Sequence, residues 1–324
     1  MKNVFIIASH TSFLSALGTK DYLHLSDDDV IILTMRNYHN VVIKPNCTVI
    51  DVTDIMESGK MLSQGRKKRK ECIRMIDSFI ADVVGEQYVL YCPHMASRIW
   101  QLFYTNPLCS KMSYIQEGGV PFKSAYAVSP NFRQRFYFYR DKILNHSHRF
   151  WGGYFWYYKG ILSKQNDIDS YAISDDFFKY LPSNNHIIKW PFVNIHLDIK
   201  KNATIFVFDG YVKNGLVESN YYLNACKKLI EQKYVQVNYI KFHPAQSDDE
   251  KNRILSFFKK DVTVQVLPDD IPFELIISSY NKLNVVGFTS SLLYFAKEYG
   301  HNVYSGESLL MDSPAFVKFR HNYF

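Results

Sequence analysis

"VQVNYIKFHPAQSDDEKNRILSFFKKDVTVQVL", residues 235–267, decides the fold. It opens on a β-type run, Val235 to Ile240, in which apolar β-branched and aromatic residues predominate. The run stops at Lys241-Phe242-His243-Pro244, where the proline fixes its own φ and holds His243 extended. "SDDEKNRILSFFKK" then reads as a helix and "VTVQVL" as the next strand. A strand, a crossover helix and a strand imply a parallel pair. Ligands bind at strand ends in such proteins, which makes Lys241 and His243 candidates. A strand-to-loop turn with a surface histidine accounts for the same octapeptide.

The alternation continues on both sides. Downstream come a helix, "IPFELIISSY", a strand opening "NVVGFTSSLLYFA", and a short end; upstream come "KNATIFVFDG" (201–210) and a helix, "SNYYLNACKKLIEQK". The N-terminal half begins with a strand from Val4 to Ala8, ending in Ser9-His10-Thr11-Ser12, and a helix from Phe13. Strands are expected at Val30–Leu33 and Thr48–Val52. "GRKKRKECIRMIDSFIADVVG" (65–85) is an amphipathic helix with Ile73, Ile76, Ile80 and Val83 at helical spacing; its basic start, Arg66 to Lys70, reads as a solvated face. "QYVLYCPH", "ASRIWQLFYTN" and "KMSYIQEGG" follow as strand, helix and strand. A hinge near 193–202 divides residues 1–195 from residues 196–324. Two Rossmann-like α/β lobes with a central cleft describe the GT-B glycosyltransferase architecture, among other folds.

Composition narrows the class. The 324 residues are 47% hydrophobic and 21% charged, as in a folded protein, and carry a formal charge of +7. A basic balance favours an anionic partner such as a nucleotide, an acidic glycan or anionic lipid. No zinc-finger or RNA-binding signature points to nucleic acid. The five cysteines are odd in number and form no CxxC, which reads as reduced thiols in a cytoplasmic protein without a metal framework. "MKNVFIIASH" reads as a first strand rather than a signal peptide or membrane span. There is no GxGxxG, no Walker loop and no HExxH. One DxD, Asp167-Ile168-Asp169, lies in polar "KQNDIDSY" and reads as a surface loop.

The stretch 133–159 breaks the α/β pattern. Eleven aromatics lie between Phe136 and Tyr158, interleaved with arginine and lysine. Two readings stand: peripheral contact with an anionic membrane, at its cytoplasmic face, or packing against the N-terminal lobe or a second subunit.

Three short motifs sit at expected strand ends. Gln116-Glu117-Gly118-Gly119 presents a carboxylate followed by glycines that let a substrate approach, which suits a general base; a surface acid in a glycine turn is the alternative. His243-Pro244 is the second motif, and Ser290-Ser291 the third. Hydroxyls and free N–H groups at a helix start bind phosphate, although a plain N-cap also explains the serines.

In this order and spacing the three motifs resemble those of the bacterial GT-B sialyltransferases, including the lipooligosaccharide and capsule sialyltransferases and polysialyltransferases. Those enzymes carry an acidic-acidic-Gly motif in the N-terminal lobe, and His-Pro and Ser/Thr-Ser motifs in the C-terminal lobe. "IPFELIISSYNKLNVVGFTSSLLYF" is similar to their CMP-binding segment, and Lys241 in "KFHP" matches the lysine of a Lys-Gly-His-Pro variant. The resemblance runs from about residue 90 to 310 and implies an acceptor-binding lobe, 1–195, and a CMP-sugar-binding lobe, 196–324. It implies an inverting transfer of sialic acid from CMP-Neu5Ac to a glycan hydroxyl of lipopolysaccharide or capsule. By the match, Glu274 holds the ribose, and Lys241, His243, Pro244, Ser290 and Ser291 lie near the phosphate. Glu117 and His243 are the catalytic candidates, with His10, His94, Gln116 and Gly118 on the acceptor side. The chain departs from the family at Gln116, where an acid is expected, because a neutral amide takes no proton. Glu117 then serves as base, or His10, His94 or Asp209 does. No metal is expected, since CMP leaves with a single phosphate, and His243 would need that phosphate's charge to become protonated. Two other readings remain: transfer of another CMP-activated ulosonic acid, such as Kdo or legionaminic acid, and a non-catalytic membrane adaptor on a glycosyltransferase-like fold.

Overall fold

The computed structural model describes residues 1–35, 43–118, 132, 136, 139–140, 143, 149–150, 168–179, 181, 183–191, 195–233, 236–243, 246–258 and 264–323. It divides into two compact units, Met1–Pro191 and Phe192–Phe324.

In the first unit the described elements are β1 (Lys2–Ile7), α1 (His10–Tyr22), β2 (Val30–Thr34), β3 (Thr48–Asp51), α2 (Thr53–Glu57), α3 (Arg66–Val83), β4 (Tyr88–Cys92), α4 (Arg98–Thr105), β5 (Cys109–Ile115), β6 (Asp169–Ala172) and β7 (Asn184–Ile187). The strands form one parallel sheet in the order β3-β2-β1-β4-β5-β6-β7. Central strands read as unbroken apolar runs because both faces are covered: β2 and β4 are buried at every position. The edge strands β3 and β7 are largely exposed. β7, "NNHI", has no hydrophobic pattern to betray it in the sequence. Ser9 starts α1 by a reciprocal capping box with Ser12. On α3, Cys72, Ile76 and Ile80 are buried, and Ile73 and Val83 pack at the margin of the same core.

The second unit contains β8 (Thr204–Val207), α5 (Ser219–Lys233), β9 (Tyr239–Lys241), α6 (Asp248–Phe258), β10 (Gln265–Val266), α7 (Phe273–Ser279), β11 (Asn284–Gly287), α8 (Ser291–Glu298), β12 (Asn302–Ser305) and α9 (Pro314–Tyr323). Its parallel sheet runs β10-β9-β8-β11-β12. The short end expected after α8 is therefore another strand and helix; β12 is a half-exposed edge strand, and Phe316 of α9 is buried against Tyr211. Gly287 is required where β11 meets β8, since a Cβ there would come within 2.9 Å of the Val207 side chain.

Two expectations on loops change. Asp169 opens β6 instead of lying in a surface loop, and it is held by Lys111, Asn184 and His186; Asp167 lies outside the described residues. Most of 133–159 also lies outside them. At its described end, Phe150 is buried in the core of the first unit and Arg149 pairs with Asp77 and donates to the Leu102 carbonyl at 3.0 Å. Phe132, Phe136, Tyr139 and Ile143 are exposed.

Candidate active site

In the second unit, the C-terminal ends of β9, β8 and β11 lie side by side on one sheet edge. The chain runs outward from β8 to β9 and β10 on one side, and to β11 and β12 on the other. The strand order therefore reverses between β8 and β11, the point at which such sheets bind ligands. Asp209 follows β8, His243 follows β9, and Thr289, Ser290 and Ser291 follow β11.

His243 stands on a closed turn. Its N–H donates to Gln246 Oε1 at 2.8 Å, its carbonyl accepts the Gln246 N–H at 3.0 Å, and Gln246 Nε2 donates to Glu250 on α6 at 2.8 Å. Burial lowers the imidazole pKa below its ordinary value, and the charge of Lys213 lowers it further. The imidazole therefore favours its neutral form. Pro244 lies outside the described residues. Gln246 and Lys213 escaped the sequence reading: a glutamine three residues past the histidine is a turn-closing signal, but nothing in "YVKNG" announces a lysine beside His243.

Ser290 caps α8, accepting the Leu292 N–H at 3.3 Å. Ser291 is the first residue of that helix. Thr289 is hydrogen-bonded to the Tyr211 hydroxyl. Beneath them lies Asp209, which burial pushes up to about 7 against the hydroxyls of Ser290 and Tyr211. Glu274 sits buried in the first turn of α7.

Lys241 does not extend into open space at the strand end. It is buried, and its ammonium donates to the carbonyls of Pro268 and, at 2.9 Å, Ile271. It holds the segment that leads into α7. Burial lowers its pKa, while Asp269, Glu274 and Asp270 act in the opposite direction.

In the first unit the strand order reverses between β1 and β4. His10 is the first residue of α1, after β1; His94 follows β4; Gln116 and Glu117 follow β5. The structure brings His94 and Glu117 together, with Nε2 and Oε2 3.7 Å apart. The imidazole lies on the Trp100 ring, centroids 4.3 Å apart, and its Nδ1 accepts the Ala96 N–H at 3.2 Å. That bond assigns the remaining ring proton to Nε2, toward the carboxylate. Gln116 is fully buried. Gly118 takes a left-handed φ of +75°, and a Cβ there would meet no atom within 4 Å. Gly119 lies outside the described residues. Among the described residues no group of three or more His, Cys, Asp or Glu side chains is arranged to hold a metal ion.

The two units together have the two-lobe, Rossmann-like fold of GT-B type. Similar solved structures include a sialyltransferase from Photobacterium damsela, 16% identical over 97% of this chain and 77% of that one, with a TM-score of 0.50. The spinosyn rhamnosyltransferase SpnG, solved with thymidine diphosphate, is 10% identical over 99% and 91% of the two chains, with a TM-score of 0.51. The UDP-GlcNAc 2-epimerase of Methanocaldococcus jannaschii, in complex with UDP-GlcNAc and UDP, is 8% identical over 100% and 94%, with a TM-score of 0.52. At such identities the likeness is one of fold. No curated protein matches the chain. Residues 145–303, nearly half of the chain, match the family model of alpha-2,8-polysialyltransferase (POLYST). That stretch contains Lys241, His243, Glu274, Ser290 and Ser291, and it begins at Asn145, so Gln116 and Glu117 lie outside it. The resemblance to the bacterial GT-B sialyltransferases holds, in fold and in sequence.

Proposed function

We propose that the chain is an inverting sialyltransferase that moves sialic acid from CMP-Neu5Ac to a glycan hydroxyl of a bacterial surface polysaccharide. The observation that carries this reading is the placement of His243 and of Ser290 and Ser291 at the ends of the two strands that flank β8, beside the switch point of the second unit's sheet and inside the stretch that matches the polysialyltransferase family. A helix N-terminus with two serines and a neutral histidine suits one phosphate, which on binding draws a proton onto His243. Glu274 is offered to the ribose hydroxyls, and Lys241 supports the segment that presents it.

In the step proposed, the acceptor oxygen bonds to the anomeric carbon while the carbon–oxygen bond to phosphate breaks, and CMP leaves with the electron pair. Protonated His243 and the serines stabilise the charge that develops on the leaving phosphate. Glu117, steadied by His94, takes the proton of the acceptor hydroxyl. The reaction so written needs no metal. The family match favours a sialoside as acceptor. Incubation with CMP-Neu5Ac and a panel of galactosides and sialosides, with and without EDTA, read by mass spectrometry, is the test. Transfer from CMP-Kdo or CMP-legionaminic acid alone would redirect the donor, and no CMP-induced rise in melting temperature would favour a non-catalytic adaptor.

A cytoplasmic-face location is part of the proposal. Phe132, Phe136, Tyr139 and Ile143 are 84%, 57%, 47% and 70% exposed, with helical backbone at these positions and a spacing that puts them on one stripe. No helix among the described residues is long and apolar enough to cross a membrane. Co-sedimentation with anionic vesicles that weakens with salt would support peripheral contact; none at low salt would leave the stripe as a subunit interface.

A further inference from the structure

We propose that Asp209 is a positioning residue of the donor-phosphate site: it holds a proton while phosphate is bound and so turns the Ser290 hydroxyl outward to donate to that phosphate. This rests on the CMP placement proposed above and goes beyond it, because it makes donor binding a proton-uptake step.

Asp209 ends the central strand of the sheet, between the histidine strand and the serine strand. It is 6% exposed, and its Oδ2 makes no hydrogen bond. A carboxylate left so is costly. The titratable groups that face it are Tyr211, on the turn after β8, and Tyr222 and Cys226, on α5. Burial raises the pKa of all three, so each is neutral and none is a cation that would offset a carboxylate. Thr289 and Ser290 face the same cluster with hydroxyls alone.

The hydrogen-bond inventory of Ser290 couples proton and phosphate. A serine has one O–H and two lone pairs. One lone pair accepts the Leu292 N–H. An ionised Asp209 can only accept, so it draws the Ser290 hydrogen inward. A protonated Asp209 donates into the second lone pair, and the Ser290 hydrogen is released toward the helix N-terminus, where an anion binds. Phosphate in turn raises the cost of a nearby buried negative charge. Each event favours the other.

The test is CMP affinity by calorimetry at about pH 6 and about pH 8 for wild type, Asp209→Asn and Ser290→Ala. Titration of CMP itself and of His243 is common to wild type and Asp209→Asn, so their difference isolates Asp209. Wild-type affinity should fall over this interval by roughly tenfold more than that of Asp209→Asn, whose amide mimics the protonated acid. At the higher pH Asp209→Asn should therefore bind CMP more tightly than wild type. Equal pH slopes, or weaker binding by a folded Asp209→Asn at both pH values, would overturn the proposal. Should that variant fail to fold, Ser290→Ala decides: the excess pH dependence must vanish with the hydroxyl, and its survival overturns the proposal. Absence of CMP binding by wild type at both pH values would instead remove the donor-site reading on which this one rests.

Discussion

The side-chain oxygen of Gln116 accepts the backbone N–H of Ile173 at 2.9 Å, while its Nε2 donates to the Gly118 carbonyl at 3.1 Å. With the Gln116 N–H on the Tyr171 carbonyl at 3.0 Å, the residue fastens the end of β5 to the end of β6. A carboxylate could accept from Ile173 but could not donate to Gly118. The amide at the family's acidic position thus locks the turn that presents Glu117. Gln116→Glu should lower stability by about 1–3 kcal/mol. A urea midpoint equal to that of wild type would show the lock to be unimportant.

Glu117→Gln keeps the shape of the side chain and removes its basicity. Turnover should fall by about 10²–10⁴-fold if Glu117 is the base. CMP affinity should not change, because Glu117 belongs to the other unit's motif. A variant with wild-type turnover would move the base away from Glu117, with His10 the remaining strand-end candidate.

His243→Ala should raise the barrier by about 2–4 kcal/mol if the imidazolium stabilises the leaving phosphate. The readout is single-turnover transfer at saturating donor, so that weaker binding is not mistaken for slower chemistry. An unchanged rate removes His243 from the chemistry.

Lys241→Met removes the ammonium that bonds the segment Pro268–Ile271 and leaves two carbonyls without that partner. Stability should drop by about 1–3 kcal/mol, and CMP affinity should fall with it through Glu274. The second effect should be smaller for a 2′,3′-dideoxy nucleotide, which offers Glu274 no hydroxyls. Equal losses for both nucleotides would mean that Lys241 does not act through Glu274.

His301 gives a pH-dependent stability of known sign. Its Nδ1 accepts the Leu283 N–H at 3.2 Å and its Nε2 donates to the Ile277 carbonyl at 2.8 Å, so the buried ring is satisfied only when neutral. Burial lowers its pKa from 6.5, although the Ile277 carbonyl works against this. A lowered pKa means stability that is present above about pH 6.5 and lost as pH falls through the folded value. Asp209 has the opposite sign: with its pKa raised to about 7, it favours the folded state most in acid and less as pH rises toward that value. Unfolding midpoints at about pH 7.5 and about pH 5.5 should therefore fall in wild type relative to His301→Gln. An equal change in both proteins would show that His301 does not titrate in this range.

The sequence by itself determined the two parallel sheets, because strands covered on both faces are predominantly apolar, as in "VIILT" and "TIFV", and such runs alternate with amphipathic helices. It also determined which strand ends bear His243, Glu117 and Ser290, since Pro, Gly and Ser punctuate the chain there. It could not reveal β7 or β12, whose exposed edge positions carry no hydrophobic pattern. Nor could it assign Lys241, which a strand-end reading sends toward a phosphate and the folded chain sends to two carbonyls some thirty residues on. The same holds for the pairing of His94 with Glu117, for Gln116 as a lock, and for Asp209 beneath Ser290. Each depends on which strands become neighbours and how much water burial removes. Strand order and desolvation are properties of the assembled sheet, and only the tertiary structure decides them.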